Sequence, residues 1–577
     1  EPNTEHYGYQ NDYLRSDGVG REFLRAKYGG ASYPSTIQAI ENNEHEVFQD
    51  GKHVFKYAVS NMADAAEKIL NKPGFARKFS KYMLAGYYSL SSPVWSNFGA
   101  DRGLPISCNG VKVEDSIEEI LQKMAEVGVQ TKLGAGTSGY FGELRPRGTT
   151  IRGGGKADGP VHYMRLYDTS TDVISQGSVR RGAFAAYLNI DHPDIHEFLE
   201  IREPGATIQN ISIGVTISDE WMEDMITGDK PKREVWAKVL RKRKETGYPY
   251  LFFSDTINNN KPKVLKDHNY PIWASNLCSE IALPSSKDWT FVCNLSSMNL
   301  VTWDEWKDTD AVETMTYFLD AVMEEYIKKT KGVRFMETAH NFAKHWRALG
   351  IGQLGWHSLL HSKMMPFESF DALELAEEIS EFIDQRSLAA SKEMADIYGE
   401  PEGMKGYGER NLTRCAIAPT TSSSFILGQV SPSIEPLASN YFVQDLATGV
   451  LTYRNPWLTE VLEAHGKNDD ETWDDILIHK GSVQHLDFLT ENERNVFKTF
   501  SEISPLNVVQ QAAARQAYID QSQSLNLMIP HEAPVKDINA LIIEGWRLGV
   551  KTFYYQRSSN PAQEFVRDIM TCVSCEA

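Results

Sequence analysis

The sequence of 577 residues has few cysteines, no long hydrophobic run and no excess of positive charge. Six cysteines are too sparse for a disulfide scaffold in a chain that is long enough to bury its own core. No run approaches the roughly 18 apolar residues of a membrane-spanning helix, and no basic-then-apolar leader opens the sequence. With 59 Lys plus Arg against 78 Asp plus Glu, the formal charge of −19 argues against broad nucleic-acid binding. We therefore expect a soluble, cytoplasmic protein with no membrane or nucleic-acid partner.

Helix-like and strand-like runs alternate along the chain, which favours an α/β architecture with a mainly parallel sheet, including a barrel. The predicted strands span residues 208–217, 414–418 and 550–556. The predicted helices span residues 311–329, 373–398 and 538–546, the last ending at a Gly549 cap. Asp115 and Glu118 give a capping-box-like start to a further helix. Residues 134–160 are rich in Gly and Arg, which predicts a loop or two loops around a short element.

Three polar side chains at alternate positions make residues 275–280 the most informative segment. If the segment is extended, Asn276, Cys278 and Glu280 point the same way and can face one pocket. The carboxylate can take a proton from a hydroxyl that the amide orients, and the thiol can act as a nucleophile, reductant or hydrogen-atom donor. A strand edge with polar residues facing water fits the same spacing.

Two other segments carry side chains with redox chemistry. Cys572 and Cys575 form a CxxC motif near the C-terminus, where the lack of periodicity from about residue 558 predicts a mobile tail. Such a motif suits thiol–disulfide exchange; half of a zinc site is the competing reading, although no second CxxC and no nearby His would complete it. Tyr554 and Tyr555 are either a packing pair or two redox-active phenols in series.

A cluster of hydroxyl residues lies at 418–427, between a predicted strand and an apolar run. If a helix starts there, its free N–H groups, its hydroxyls and the positive end of its dipole would hold a phosphate. A plain helix cap would explain only one of the five hydroxyl residues.

Taken together, these segments closely resemble the large, catalytic subunit of class I ribonucleotide reductase, from about Pro105 to the C-terminus. The matching pieces are PISC at Cys108, SQGSVRRGA at Gln176, NLCSE at Cys278, VCNLSS at Cys293, APTTSSS at Pro419, SIEP at Glu435, KTFYYQ at Tyr554 and CVSC at Cys572. The resemblance implies a ten-stranded α/β barrel, made of two parallel five-stranded halves, at residues 101–557. A helical N-terminal region at 1–100 and a flexible redox tail at 558–577 would flank it.

The resemblance implies thiyl-radical reduction of ribonucleotides to 2′-deoxyribonucleotides. Cys278 would form the transient radical that abstracts the 3′-hydrogen of the bound substrate. Glu280 would deprotonate the 3′-hydroxyl, with Asn276 orienting it. Cys108 and Cys293 would be the reducing pair that protonates the departing 2′-hydroxyl and ends as a disulfide.

The resemblance also implies an electron route to and from this centre. Cys572 and Cys575 would reduce the disulfide and pass the oxidising equivalents to thioredoxin or glutaredoxin, whereas Cys415 keeps the interpretation of a core residue. Tyr554 and Tyr555 would conduct the radical from a separate, metal-containing small subunit (β2). A regular strand would send the two rings to opposite faces, so we expect the pleat to be broken near Tyr555.

Substrate and effector sites are implied as well. The residues aligned with contacts to a ribonucleoside diphosphate are Ser107, Thr421, Ser422 and Ser423. The effectors implied are dATP or ATP, dTTP and dGTP, bound with Mg²⁺. The residues that align with the effector contacts, or with the loop that relays effector identity to the substrate site, are Asp115, Arg145, Ile151, Arg152, Gln176 and Arg180. Instead of binding an effector, Asp115 could cap a helix and the arginines could be solvated surface residues. The family is a homodimer with effector sites at its interface.

The sequence departs from many members of the family at its N-terminus, and other kinds of reductase are alternative interpretations. Only 107 residues precede Cys108, so the N-terminal nucleotide-binding cone that controls overall activity in many relatives is expected to be absent. No tightly bound cofactor or metal is expected in this chain. The cobalamin-dependent ribonucleotide reductase shares the active-site cysteines and the C-terminal redox pair, but it needs no tyrosine pair, because its radical is generated on the bound cofactor. A glycyl-radical motif is not visible, and a regulatory protein that had lost the chemistry would not need the intact cysteines.

Overall fold

The structure is a computed structural model, and it describes residues 24–26, 47–49, 51–101, 103–176, 180–446 and 449–558. The strands are β1 (Leu24–Ala26), β2 (Val47–Gln49), β3 (Tyr88–Leu90), β4 (Cys108–Lys112), β5 (Gly136–Tyr140), β6 (Ser175–Gln176), β7 (Arg180–Arg181), β8 (Phe184–Asn189), β9 (Ser212–Ile217), β10 (Tyr250–Phe253), β11 (Phe291–Asn299), β12 (Leu349–Leu354), β13 (Tyr441–Leu446), β14 (Gly449–Arg454), β15 (Leu527–Ile529), β16 (Thr552–Phe553) and β17 (Gln556–Ser558).

The helices up to the middle of the chain are α1 (Gly51–Leu70), α2 (Phe75–Leu84), α3 (Ser92–Asn97), α4 (Ile117–Lys132), α5 (Pro160–Val173), α6 (Ile195–Phe198), α7 (Asp219–Thr227), α8 (Lys230–Thr246), α9 (Ser254–Asn259), α10 (Lys263–Asp267), α11 (Trp303–Trp306) and α12 (Ala311–Thr330). The later helices are α13 (Glu337–Trp346), α14 (Trp356–Ser362), α15 (Phe370–Tyr398), α16 (Thr421–Ile426), α17 (Pro456–Ala464), α18 (Asp470–Ile478), α19 (Glu491–Val496), α20 (Pro505–Gln516) and α21 (Val535–Arg547). Among the described residues, no helix is both long and apolar enough to cross a membrane.

The first half of the barrel is a five-stranded parallel sheet in the order β4-β5-β8-β9-β10. Helices α4 and α5 connect successive parallel strands, as parallel pairing requires. Every residue of β9 and β10 is buried, including Ser212 and Thr216 of β9, which indicates a sheet covered on both faces.

The second half is also parallel but less regular. Strand β11 pairs parallel with β12, and isolated parallel bridges then join Ile351 to Cys415 and Ile417 to Gln523. The tenth member is β16, which lies beside the segment after Gln523 through the Tyr554 N–H to Leu525 O bond of 2.9 Å. The two halves meet antiparallel at β4–β11 and at β10–β16. The described strands and bridges therefore close an α/β barrel of two parallel halves.

One large apolar core fills and surrounds the barrel, and helices α1 and α2 pack into the same core. A smaller apolar cluster lies apart from it, between α17, α18 and the segment that follows them. Helix α15 alone spans 29 residues along the barrel and buries Ile379, Ile383 and Met394. The described part of the N-terminal region is thus continuous with the barrel in packing.

Local sequence signals are confirmed for several elements and wrong for others. Helix α12 matches its predicted range within a residue, and Gly549 takes the left-handed conformation (φ +84°) that ends α21. The capping box at Asp115 is wrong by one residue: Ser116 is the N-cap of α4, because its hydroxyl accepts the Glu119 N–H at 3.2 Å. The predicted strand at 414–418 is reduced to bridges, and the predicted strand at 550–556 is interrupted.

Candidate active site

Two thiols lie opposite each other where the halves of the barrel meet. Cys108 begins β4, Cys293 lies in β11, and the antiparallel register pairs the two residues directly. Directly opposed residues have Cβ atoms about 4.5–5.5 Å apart, so a small movement would let the sulfurs form a disulfide. Neither sulfur is part of a disulfide; Cys293 is buried and Cys108 is half-buried. Burial raises the pKa of the Cys293 thiol far above its ordinary value, so this sulfur is protonated at neutral pH.

The loop between β10 and β11 carries Asn276, Cys278 and Glu280, but it is not the extended segment that the sequence predicted. Residues 277–279 form a turn, in which Ser279 has φ +64° and donates its N–H to Asn276 O at 3.4 Å. The expectation based on alternating side chains is therefore wrong for this loop. The turn exposes part of Cys278 while Asn276 and Glu280 are buried beneath it.

Packing of Leu277 places this turn beside the thiol pair. A Cβ atom on Gly136 would lie 3.2 Å from Leu277 Cδ2 and 3.7 Å from the carbonyl oxygen of Ser107. Gly136 is the strand partner of Cys108. A side chain at this position would therefore make a tight contact that Leu277 would have to relieve by moving. The turn and the start of β4 therefore meet, with half-buried Ser107 between them.

Glu280 is a carboxyl group tuned by burial. Burial raises the pKa of Glu280 from an ordinary 4.5 to about 7, and smaller effects of its own N–H, Asn276 and Ser524 oppose the rise. The Ser524 hydroxyl lies 3.2 Å from Glu280 Oε2 and 2.6 Å from the Cys278 carbonyl oxygen. A carboxyl group with a pKa near neutral pH can both accept and return a proton.

Asn276 is fixed on one side and lies close to Glu280 on the other. Its Oδ1 accepts the Ile281 N–H and the Ser275 hydroxyl, each at 3.2 Å, and its carbonyl oxygen accepts the Tyr187 hydroxyl at 2.8 Å. Its buried Nδ2 makes no well-formed hydrogen bond within the described part of the chain, although the amide is close enough to Glu280 to lower the pKa of that carboxyl group. This donor is therefore placed beside the carboxyl group, where it can also serve a bound hydroxyl.

Tyr554 and Tyr555 belong to a cluster of four tyrosines. The two residues lie between β16 and β17, and their ring centroids are 4.2 Å apart, so the break in the pleat that we expected is confirmed. Tyr250 lies 4.7 Å and 5.2 Å from the two rings, and the Tyr248 hydroxyl is 2.9 Å from that of Tyr555. On the other side, Leu525, whose carbonyl binds Tyr554 N, follows Ser524, which binds the Cys278 carbonyl. The cluster thus leads towards Cys278.

Sequence analysis missed three residues of this site. Tyr248 and Tyr250 form a Tyr-Pro-Tyr motif directly before and within β10, and Ser524 belongs to the polar run 520–524 in an otherwise apolar region. Both patterns are visible in the sequence, although nothing local shows what they contact. Their partners lie hundreds of residues away along the chain.

The hydroxyl cluster folds as the short helix α16. Thr420 has φ +47°, and its hydroxyl accepts the Ser433 N–H at 2.8 Å. The Ser423 hydroxyl donates to the Thr420 carbonyl at 3.3 Å, so its hydrogen is used within the turn, whereas Thr421 is exposed. The side chain of Ser422 lies outside what the structure describes. A helix start at this position is confirmed, and phosphate binding by these residues stays a prediction.

The residues predicted to bind an effector lie directly before α4, on the Gly-rich loops and on β6 and β7. Arg145 Nε lies 2.6 Å from Asp115 Oδ2, and the Arg145 N–H lies 3.3 Å from Asp115 Oδ1, so these two residues pair with each other. Ile151 and the exposed Arg152 occupy a tight loop closed by a bridge between Thr150 and Lys156. Gln176 and Arg180 pair through the backbone of β6 and β7, and their side chains are outside the described part.

Other predicted cysteines divide into two groups. Cys572 and Cys575 lie outside the described residues. Cys415 is fully buried with its sulfur 3.9 Å from the Ser387 hydroxyl, and burial raises its pKa well above the ordinary value. Cys415 is therefore a core residue, as expected.

One group of side chains outside the barrel site could offer three metal ligands among the described residues: Asp475, His479 and His485. The two imidazole rings stack with centroids 3.7 Å apart. His479 Nδ1 is hydrogen-bonded to the Asp475 carbonyl oxygen at 2.8 Å, and His485 Nε2 is hydrogen-bonded to the Asp475 carboxylate at 2.9 Å. Two histidines bound to one tetrahedral ion would have to spread apart. The group fits a hydrogen-bonded cluster better than a metal site.

The fold and the paired thiols define an α/β-barrel protein with a thiol centre at the junction of its two halves. The family model for the ribonucleotide reductase barrel domain matches residues 106–232, 227–406 and 401–556. The chain therefore belongs to the ribonucleotide reductase large-subunit family.

Individual relatives agree with this assignment. The solved structure of the class Id ribonucleotide reductase alpha subunit of Actinobacillus ureae is 50% identical, with a TM-score of 0.83 over 89% of this chain and 94% of that chain. The ribonucleoside-diphosphate reductase large subunit of Invertebrate iridescent virus 3 is 31% identical over 84% of this chain and 88% of that protein. The vitamin B12-dependent ribonucleoside-diphosphate reductase of Thermoplasma acidophilum is 30% identical over 91% and 71%.

Proposed function

We propose that the chain is the catalytic subunit of a class I ribonucleoside-diphosphate reductase, which converts ribonucleoside diphosphates into 2′-deoxyribonucleotides. One observation carries the proposal: the turn with Cys278 meets the directly opposed thiols of Cys108 and Cys293. A radical reduction needs one thiol that starts the reaction and two thiols that supply its electrons by forming a disulfide. Cys278 on its loop suits the first role, and Cys108 and Cys293 suit the second.

The buried groups have matching chemical properties. Cys278, as a thiyl radical, takes the 3′-hydrogen, while Glu280 takes the 3′-hydroxyl proton and Asn276 Nδ2 holds the same hydroxyl. Cys108 and Cys293 then supply two electrons and two protons: the 2′-hydroxyl leaves as water and the sulfurs join as a disulfide. Glu280 returns its proton to the 3′-oxygen, and Cys278 returns the hydrogen atom to C3′ and is again a thiyl radical. The pKa of Glu280 near 7 supports its role as a base at neutral pH.

The tyrosine cluster supports a radical source outside this chain. Its four phenols are in tilted and edge-on contact and lead towards Cys278, which suits transfer of a radical from a metal-containing small subunit. A cobalamin-dependent reductase would generate its radical on the bound cofactor. The 30% identity to a vitamin B12-dependent relative keeps that second candidate open to test.

The remaining assignments complete the proposal. Thr421, Ser422 and Ser423 hold the substrate phosphates near Ser107. Deoxynucleotide or ATP effectors with Mg²⁺ bind at the dimer interface of two copies, around the Asp115–Arg145 pair, and Ile151, Arg152, Gln176 and Arg180 relay their identity. The pair Cys572 and Cys575 reduces the disulfide and hands its oxidising equivalents to thioredoxin or glutaredoxin.

The direct test is reduction of ribonucleoside diphosphates with and without a metal-loaded small subunit. We expect turnover only when both subunits are present, and no turnover for Cys278→Ser. Cys415→Ala is the matched control, because this buried cysteine lies outside the site and should leave turnover unchanged. Turnover by Cys278→Ser would refute the radical assignment. Full activity with adenosylcobalamin alone would favour the second candidate.

A further inference from the structure

Gln521 makes a contact with Cys293 that the proposed chemistry does not use. Gln521 is fully buried, and its Nε2 lies 3.2 Å from Cys293 Sγ. The same nitrogen lies 2.9 Å from the Leu349 carbonyl oxygen and 3.0 Å from the Thr413 hydroxyl oxygen. An amide has two hydrogens for these three acceptors. A sulfur that gained negative charge would become the strongest acceptor and take one of them.

The orientation of the amide is fixed by its other end. Gln521 Oε1 accepts the N–H of Ala282 at 3.1 Å, so the oxygen must face the backbone and the nitrogen must face the sulfur. Ala282 lies two residues after Glu280 on the loop that carries Cys278. One side chain therefore connects the thiol pair to the loop.

The backbone that carries Gln521 is held firmly. Lys551 is buried, and its ammonium group donates to the carbonyl oxygens of Gln521 at 2.7 Å and Asp520 at 2.9 Å. The Asp520 carboxylate in turn accepts the N–H of Cys415 at 3.0 Å. The amide thus has little freedom to move away from Cys293.

We propose that Gln521 is a positioning residue whose amide N–H stabilises the Cys293 sulfur while that sulfur is negatively charged during thiol–disulfide exchange. The inference rests on the proposed function, in which Cys108 and Cys293 close to a disulfide.

The exchange step defines where the charge arises. Cys108 is the more accessible sulfur, so an incoming dithiol attacks it as a thiolate and bonds to Cys108 Sγ. The Cys108–Cys293 bond breaks, its electron pair stays on Cys293 Sγ, and that sulfur then takes up a proton. The second thiol of the dithiol releases Cys108, so two electrons pass from the dithiol to the pair. Gln521 donates to the leaving sulfur.

The test measures this step without turnover. The full chain is oxidised with diamide, and reduction by dithiothreitol is followed from pH 6.5 to 9 by acid quenching, alkylation and mass spectrometry of the Cys108 and Cys293 peptides. We expect reduction of this disulfide to be about tenfold slower in Gln521→Met, which keeps the length of the side chain but removes the donor. The ratio of variant to wild-type rates at each pH cancels the titration of dithiothreitol itself.

Gln521→Glu separates electrostatics from shape. It preserves the shape and the bond to Ala282, yet its carboxylate would repel a thiolate, so reduction should be slower than in Gln521→Met. If Gln521 served only the fold, both variants would lower the Tm, because both lose the bonds to Leu349 and Thr413, but this disulfide would be reduced at the wild-type rate in the folded variants. Should Gln521→Met fail to fold, the slow reduction expected of Gln521→Glu still decides the question.

Gln523→Met is the matched control. Gln523 is also buried, and the variant loses two hydrogen bonds, to Ala512 O and Gln516 Oε1, but within the described residues its side chain makes no hydrogen bond to a cysteine. Its rate should equal that of wild type. If the disulfide is reduced at the wild-type rate in both Gln521 variants, the role of Gln521 is overturned while the proposed function is not. If diamide never links Cys108 to Cys293 in the wild-type chain, the reducing pair of the proposed function fails instead.

Discussion

The hydroxyl of Tyr555 lies 2.9 Å from the hydroxyl of Tyr248, and the Tyr248 hydroxyl lies 3.3 Å from the Ser212 hydroxyl. The guanidinium group of Arg202 lies 4.8 Å from the centre of the Tyr248 ring. Tyr555 therefore has a hydrogen-bonded partner from the first half of the barrel, although it is itself carried by the last segment. A phenol that is oxidised must lose its proton, so this partner bears directly on the proposed radical transfer.

Tyr248→Phe should lower turnover with the small subunit, because Tyr555 loses the group that fixes its hydroxyl. A hydrogen bond worth about 1 kcal/mol corresponds to roughly fivefold in rate. Nucleotide reduction under saturating small subunit measures the effect. Tyr398→Phe is the control, since its hydroxyl donates to the Leu70 carbonyl far from the cluster and its loss should leave the rate unchanged. Equal rates for wild type and Tyr248→Phe would contradict a role for this hydrogen bond.

Glu280 should give a pH profile with an inflection near 7. The base must be ionised to take the 3′-hydroxyl proton, so kcat/KM should rise with pH and level off above the pKa of about 7. Ser524→Ala removes a hydroxyl that lowers this pKa, so its profile should be displaced to higher pH. A profile that Ser524→Ala leaves in place would show that this hydroxyl does not affect the base.

The same carboxyl group should make stability depend on pH. The pKa of Glu280 is higher in the folded chain than its ordinary 4.5, so the stability that its protonated form contributes is complete below 4.5 and is lost as pH rises through about 7. The loss is about 3 kcal/mol. Glu280→Gln cannot ionise, so its Tm relative to wild type should increase between pH 5 and pH 8. A Tm difference independent of pH would contradict the raised pKa.

A buried ion cluster should dominate stability outside the site. The Asp320 carboxylate binds Arg347 at 2.8 Å and 2.9 Å and Arg410 at 2.8 Å. Despite burial, the two guanidinium groups hold the pKa of Asp320 at about 2, so its contribution is present above an ordinary 3.8 and is lost as pH falls through about 2. Asp320→Asn should cost about 3 kcal/mol of the free energy of unfolding, since it removes the charge that faces Arg410 and leaves Arg347 with Glu324, at 2.8 Å, as its one carboxylate partner among the described residues.

Denaturant unfolding at pH 7 measures the effect of Asp320→Asn. The control is Glu402→Gln, which breaks an exposed pair with Lys405 and should leave the transition midpoint unchanged. Similar midpoints for the two variants would show that Asp320 contributes no more than a surface charge.

Long periodic elements could be predicted from the sequence, whereas residues that depend on distant partners could not. Helix α12 follows directly from its apolar spacing, and the tyrosine pair was expected to break its strand, as it does. The segment with Cys278 would place its three polar side chains on one face if it were extended, but it is a turn whose Leu277 contacts Gly136 on β5, a partner distant in sequence. Gln521 contacts Cys293 across 228 positions of sequence, and no local pattern indicates such a contact.

Replacing Asp115 distinguishes a role of the Asp115–Arg145 pair in effector binding from a role in stability. Both side chains are about one-third exposed or more, at 34% and 40%, so their ion pair should contribute little to stability. Since Ser116 rather than Asp115 caps α4, Asp115→Asn should not shift Tm.

If the pair forms the effector site, the same variant should weaken binding of dTTP, measured by calorimetry, because the carboxylate no longer orients Arg145 or accepts a sugar hydroxyl. Glu118→Gln, three residues further and exposed, is the control and should bind dTTP as wild type does. Unchanged dTTP affinity in Asp115→Asn would place the effector site elsewhere.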